Sequence, residues 1–126
     1  MRLLLDTVVL IYAVESPERL SKRAASAVES PANILELSSI SIAEIAIKSS
    51  LGKLELSESS LRQALIDLDV RVLPYSGEHA LRMFELPNHH RDPFDQQLIA
   101  QALSENIPIV TSDEAFERYK GLRVIW

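Results

Sequence analysis

Short apolar runs that alternate with helix-patterned stretches narrow the fold of this chain more than any other feature. Strand candidates lie at Arg2–Leu5, 34–39, 70–75, 107–112 and 122–126. Between them, helical patterns are expected from Thr7 through Tyr12, around Glu18–Glu29, and over 41–54, 60–69, 77–86 and 93–106, with a short one at 114–119. Gly52, Pro74 and Pro87 supply stops. Strand–helix alternation of this kind predicts a parallel sheet covered on both faces, a three-layer α/β/α arrangement with about five strands. The strands read as nearly continuous apolar runs, as doubly covered strands do. At 126 residues the chain suits one domain spanning 1–126.

Composition removes several functional classes. The chain has no cysteine, so it has neither a disulfide framework nor a thiolate site, as suits a reducing cytoplasm. A formal net charge of −5 disfavours a protein that grips nucleic acid by basic charge alone. A polyanionic substrate would need local cations or a metal ion. Asp6 interrupts the apolar run near the N-terminus, which argues for a strand rather than a secretion signal, and no segment approaches membrane length. No phosphate-binding glycine loop, dinucleotide fingerprint or nucleophile elbow occurs. His79 lies within a helical pattern, and His89 and His90 form a loop pair that could contact phosphate; neither arrangement suits zinc.

In a parallel α/β sheet, ligands sit beyond the carboxyl ends of the strands. Acids cluster at those points. Asp6 follows the first strand, Glu44 lies early in the helix after the second, and Asp113 follows "IVTS". Asp92 and Asp95 open the helix that precedes the fourth strand. Each has an ordinary explanation. Asp6 and Asp113 suit N-caps, and Ser41 with Glu44 forms a capping-box pattern. Glu44 and Lys48 are spaced for a helical ion pair, and Asp92–Pro93 reads as N-cap and first helical residue. Together, however, acids from separate units converge on one sheet edge. Their repulsion and desolvation would be relieved by a hard cation, Mg²⁺ or Mn²⁺, and the chemistry such a site supports is phosphodiester hydrolysis. Hydroxyls of Thr7, Thr111 and Ser112 stand beside the acids and could orient water or a carboxylate. Asp95 borders the apolar stripe of Leu98 and Ile99 and is expected to hold an ion, whereas Asp92 is expected to cap the helix.

"LLLDT" (3–7), "AEIAIKSSLGKL" (43–54), "HRDPFDQQLIAQA" (90–102) and "IVTSDEAFERYKGLRVIW" (109–126) together resemble the PIN-domain ribonucleases, specifically the VapC toxins of bacterial type II toxin–antitoxin systems. The resemblance implies that Asp6, Glu44, Asp95 and Asp113 are metal-binding catalytic acids. It further implies Mg²⁺-dependent endoribonuclease activity, a VapB-type antitoxin partner and a homodimer. Val8, Ala43 and Gln96 depart from residues frequent in the family, but none of these removes an acid. Lys48, Lys53, Arg91 and Arg118 are the candidate RNA contacts. A response-regulator receiver would need an acid pair after the first strand, but Thr7 follows Asp6. A haloacid-dehalogenase phosphatase would need Asp-x-Asp, but position 8 is Val. A non-catalytic module of the same fold remains the alternative from another class.

Overall fold

The computed structural model describes residues 1–89 and 92–126. Five strands, β1 (Arg2–Leu5), β2 (Ile34–Ser38), β3 (Val70–Leu73), β4 (Ile109–Val110) and β5 (Val124–Ile125), form one sheet in the order β3-β2-β1-β4-β5. Every pairing is parallel. Around the sheet stand α1 (Thr7–Glu15), α2 (Lys22–Glu29), α3 (Ser39–Ser50), α4 (Glu58–Asp67), α5 (Gly77–Arg82) and α6 (Pro93–Glu105).

The two-residue period of β1 divides the core. Leu3 and Leu5 face a cluster containing Val9, Leu10, Ala24, Ile45 and Leu61, contributed by α1 to α4. Leu4 faces the other way, onto Leu98, Ile99 and Ala102 of α6 with Ile109, Phe116 and Tyr119. All three leucines are fully buried, each contributing about 1.5–3 kcal/mol of hydrophobic stabilisation. β1 is therefore the shared floor of both half-cores, as expected of a strand covered on both faces.

A polar chain fastens the opposite, amino-terminal edge. Arg2 forms a two-point ion pair with Glu36 of β2 and a further one, at 2.9 Å, with Glu105 at the end of α6. Glu105 also meets His79 Nε2 at 3.1 Å. His79 Nδ1 accepts the Ser76 amide, so Nε2 carries the ring hydrogen and donates it to Glu105. His79 and Ser76 thereby cap α5 reciprocally. Gln101, fully buried in α6, donates to the Pro74 carbonyl just beyond β3.

Several local expectations are corrected. The helix after β2 begins at Ser39 and is capped by Ser38, whose hydroxyl accepts the Ile40 amide. Ser41 and Glu44 are therefore interior helical residues and do not form a capping box. The single helix expected around Glu18–Glu29 is a 3₁₀ turn at Pro17–Arg19 followed by α2, because Ser21 caps a new helix through the Ala24 amide. Residues 83–85 and 114–118 are 3₁₀ rather than α-helical. The last two strands are shorter than expected. Asp6 sits at the N-cap position of α1 without making a capping bond, so its ordinary explanation fails.

Asp92 does cap α6. Its Oδ1 accepts the Phe94 amide at 2.8 Å and the Asp95 amide at 3.3 Å. Asp92→Ala is expected to lower the unfolding free energy by about 0.5–2 kcal/mol. Urea denaturation measures this; an unchanged midpoint would show that the cap contributes nothing.

Candidate active site at the carboxyl edge

The strand order turns back on itself at β1, which lies between β2 and β4. Such a switch leaves a crevice beyond the carboxyl ends of the two central strands. Asp6 leaves β1 at this point, and Thr111 leaves β4 beside it. The Asp6 amide donates to the Val110 carbonyl at 3.0 Å, continuing the ladder by one residue. That register places the Thr111 hydroxyl 2.7 Å from Asp6 Oδ2, as its donor.

Asp6 is only 6% exposed. Burial pushes its carboxyl up from the ordinary 3.8 to about 6. The Thr111 hydroxyl opposes this, the Glu44 charge adds to it, the Thr7 amide opposes it, and Asp113 adds a smaller repulsion. Among the described residues, then, a buried carboxylate faces two other acids and has hydroxyl and amide partners, but no ammonium or guanidinium.

Glu44 reaches the same crevice from the second turn of α3 and is 4% exposed. Thr7 Oγ1 lies 2.8 Å from both Glu44 Oε1 and Ser41 Oγ. An ionised carboxylate only accepts, so the single Thr7 hydrogen goes to Glu44, and Ser41 supplies its own to Thr7. The other carboxylate oxygen, Oε2, pairs with Lys48 Nζ at 2.6 Å. The hydrogen bond to Glu44 is the main cause that raises the Lys48 ammonium above its usual value; the charges of Glu44, Asp92 and Asp95 add to it. Lys48 thus links the α3 acid electrostatically to the α6 acids. Ser41 escaped the sequence analysis as a site residue. Its position three residues before Glu44, on the same helical face, was the available signal.

Asp113 accepts the Ala115 amide at 2.9 Å, and its own amide bonds Thr111 Oγ1 at 3.1 Å. It therefore caps the 3₁₀ turn while adding its charge to the field at Asp6. Asp95 is half-buried, one turn before the buried Leu98 and Ile99. Ser112 is exposed. An open cleft of about 260 Å³ runs past Thr111, Ser112, Asp113, Glu114 and Glu117 to Val124 and Trp126. Among the described residues, no three His, Cys, Asp or Glu side chains stand close enough to share one ion, so the acids adjoin without being drawn into a single cluster. Lys53 and Arg118 are exposed. Arg91 and His90 lie outside the described residues.

No curated protein sequence matches the chain. Solved structures do. VapBC2 from Rickettsia felis, bound to a DNA fragment from its promoter, superposes with a TM-score of 0.75 at 21% identity, over 98% of this chain and 97% of that one. VapBC-1 from nontypeable Haemophilus influenzae gives 0.69 at 26% identity, over 98% and 96%. VapBC-5 from Mycobacterium tuberculosis, a member of the VapBC family of toxin–antitoxin systems, gives 0.60 at 18%, over 98% and 96%. The PIN-domain family model matches residues 3–122, a span that runs from β1 past Asp113 and includes every acid of the crevice; the chain belongs to the PIN-domain family.

Proposed function

We propose that this chain is a Mg²⁺-dependent endoribonuclease, with Mn²⁺ able to substitute, acting as the VapC-type toxin of a toxin–antitoxin pair. The observation that carries the reading is Asp6, a buried carboxylate at the topological switch point that faces Glu44 and Asp113. The donor set is all oxygen, which suits a hard divalent ion. Asp6, Asp95, Glu44 and Asp113 are the residues that would hold it. When bound, such an ion supplies Lewis acidity toward a phosphodiester and lowers the pKa of a coordinated water. Thr111 orients the Asp6 carboxylate, Thr7 orients that of Glu44, and Asp92 holds the first turn of α6 in place for Asp95. Ser112 stands at the open cleft, where it can meet substrate. Lys48, Lys53, Arg91 and Arg118 are the cations proposed to meet RNA phosphate, which an acidic chain needs locally.

An uncontrolled ribonuclease harms its own cell, so a VapB-type antitoxin that covers the acids is the proposed partner, and a homodimer the proposed assembly. The VapBC complexes among the structural relatives support the antitoxin partner. Among the described residues, no helix is long and apolar enough to cross a membrane; the proposed site of action is the cytoplasm.

The direct test is cleavage of RNA by the purified chain. Mg²⁺ or Mn²⁺ should support it, EDTA should stop it, and Asp95→Asn should abolish it. Cleavage that persists in EDTA would reject the metal mechanism, and no cleavage with either ion would favour the non-catalytic module.

A second expectation concerns stability. With its carboxyl near 6 when folded and near 3.8 when unfolded, Asp6 holds a proton in the folded chain that the unfolded chain has already released. Stability therefore falls as pH rises between those values, and the penalty is complete above about pH 6. In metal-free buffer, Asp6→Asn is expected to melt several degrees higher than wild type at pH 8, with the difference closing toward pH 4. Differential scanning calorimetry at both pH values decides this. A lower melting temperature for Asp6→Asn at pH 8 would mean that Asp6 is a stabilising structural carboxylate.

A further inference from the structure

One acid of the crevice already has a cation supplied by the chain. Lys48 Nζ stands 2.6 Å from Glu44 Oε2, while Thr7 Oγ1 holds Oε1 at 2.8 Å. Both oxygens of a carboxylate that is 4% exposed are thus engaged. The two partners differ in kind. Thr7 is buried and neutral, part of the fixed frame around α1 and α3. The Lys48 side chain is 44% exposed, and a flexible four-carbon stem carries its charge inward from the rim. The pair sits one turn apart on α3 with the acid N-terminal, the favourable order for a helical ion pair. A surface ion pair of this kind is ordinarily of little consequence. Here the acid is buried, so the ammonium neutralises a charge that has lost its water.

An ammonium 2.6 Å from Oε2 and a divalent ion bound through that same oxygen repel each other as like charges and compete for its lone pairs. The geometry points to Lys48 as a built-in counter-ion that competes with the metal: it holds Glu44 while no ion is bound and weakens the acid's hold on one until it withdraws. This inference rests on the metal-site reading above and deepens it. Metal affinity at the crevice is then set by an exchange of one cation for another, and the metal-free chain keeps its buried glutamate neutralised. The charges of Asp92 and Asp95, which also act on Lys48, tie the same ammonium to the α6 side of the crevice.

The test reads metal binding rather than catalysis. Mn²⁺ is titrated into the full-length wild type, Lys48→Met, Lys48→Gln and Lys48→Arg, with free Mn²⁺ followed by its electron paramagnetic resonance signal. Melting temperatures are taken with and without saturating Mn²⁺. Both neutral variants should bind Mn²⁺ about fivefold tighter or more, and Lys48→Arg should stay near wild type. The neutral variants should also melt lower than wild type without metal and gain more from Mn²⁺. If wild type binds Mn²⁺ and the neutral variants bind it equally or more weakly, Lys48 is only a helix-stabilising partner and the inference fails while the metal site stands. If none of the four proteins binds Mn²⁺, the inference and the metal-site reading fall together.

Discussion

The carboxylate of Asp6 is the point on which the arrangement turns. It is buried where β1 ends, between the two halves of a sheet whose strand order reverses there. A carboxyl group placed in such a position resists ionisation, and the charges of Glu44 and Asp113 add to that resistance. A fold under selection for stability alone would put a neutral residue at this site. The hydroxyl of Thr111, brought alongside by the β1–β4 register, aims the group without neutralising it.

The rest of the molecule makes that placement possible. β1 supplies three fully buried leucines to cores on both faces, and the ion pairs of Arg2 with Glu36 and Glu105 fasten its other end. A strand held at its start and packed on both sides gives its last residue little freedom. α3 brings Glu44 to the same edge, and Asp95, in the first turn of α6, adds its charge to the field at Lys48. Thr7, Ser41 and Lys48 steady Glu44, and the Asp92 cap steadies the turn that carries Asp95. Rigid elements carry these acids, as accurate positioning of a site requires.

The parallel sheet was legible because its signal is local: each strand is a short apolar run between helical periods. The acids at the strand ends followed from that order together with the rule for ligand sites in such sheets. Other features left no local trace. The start of α3 was misplaced because "SSISIAEI" offers several serines as caps. Ser38 takes the role because β2 runs up to it, a fact of sheet register. Pro17 and Ser21 are the local signs of the break between the 3₁₀ turn and α2, and a single helix around Glu18–Glu29 passes over both. The Arg2–Glu36–Glu105–His79 chain joins residues up to 103 apart in sequence, and no local pattern announces it. The same holds for Thr7, Ser41 and Glu44: their residue types were visible, but the hydrogen bonds that make them a unit depend on α1 packing against α3.

If the acids at the carboxyl edge form a divalent-metal site built around Asp6, crystals grown with Mn²⁺ will reveal it by anomalous diffraction. A manganese peak is expected in the crevice at β1 and β4, with Asp6 among its ligands. A Mn²⁺-saturated crystal with no anomalous peak there, or with manganese bound elsewhere and Asp6 still engaged only by Thr111 and the Thr7 amide, would contradict it.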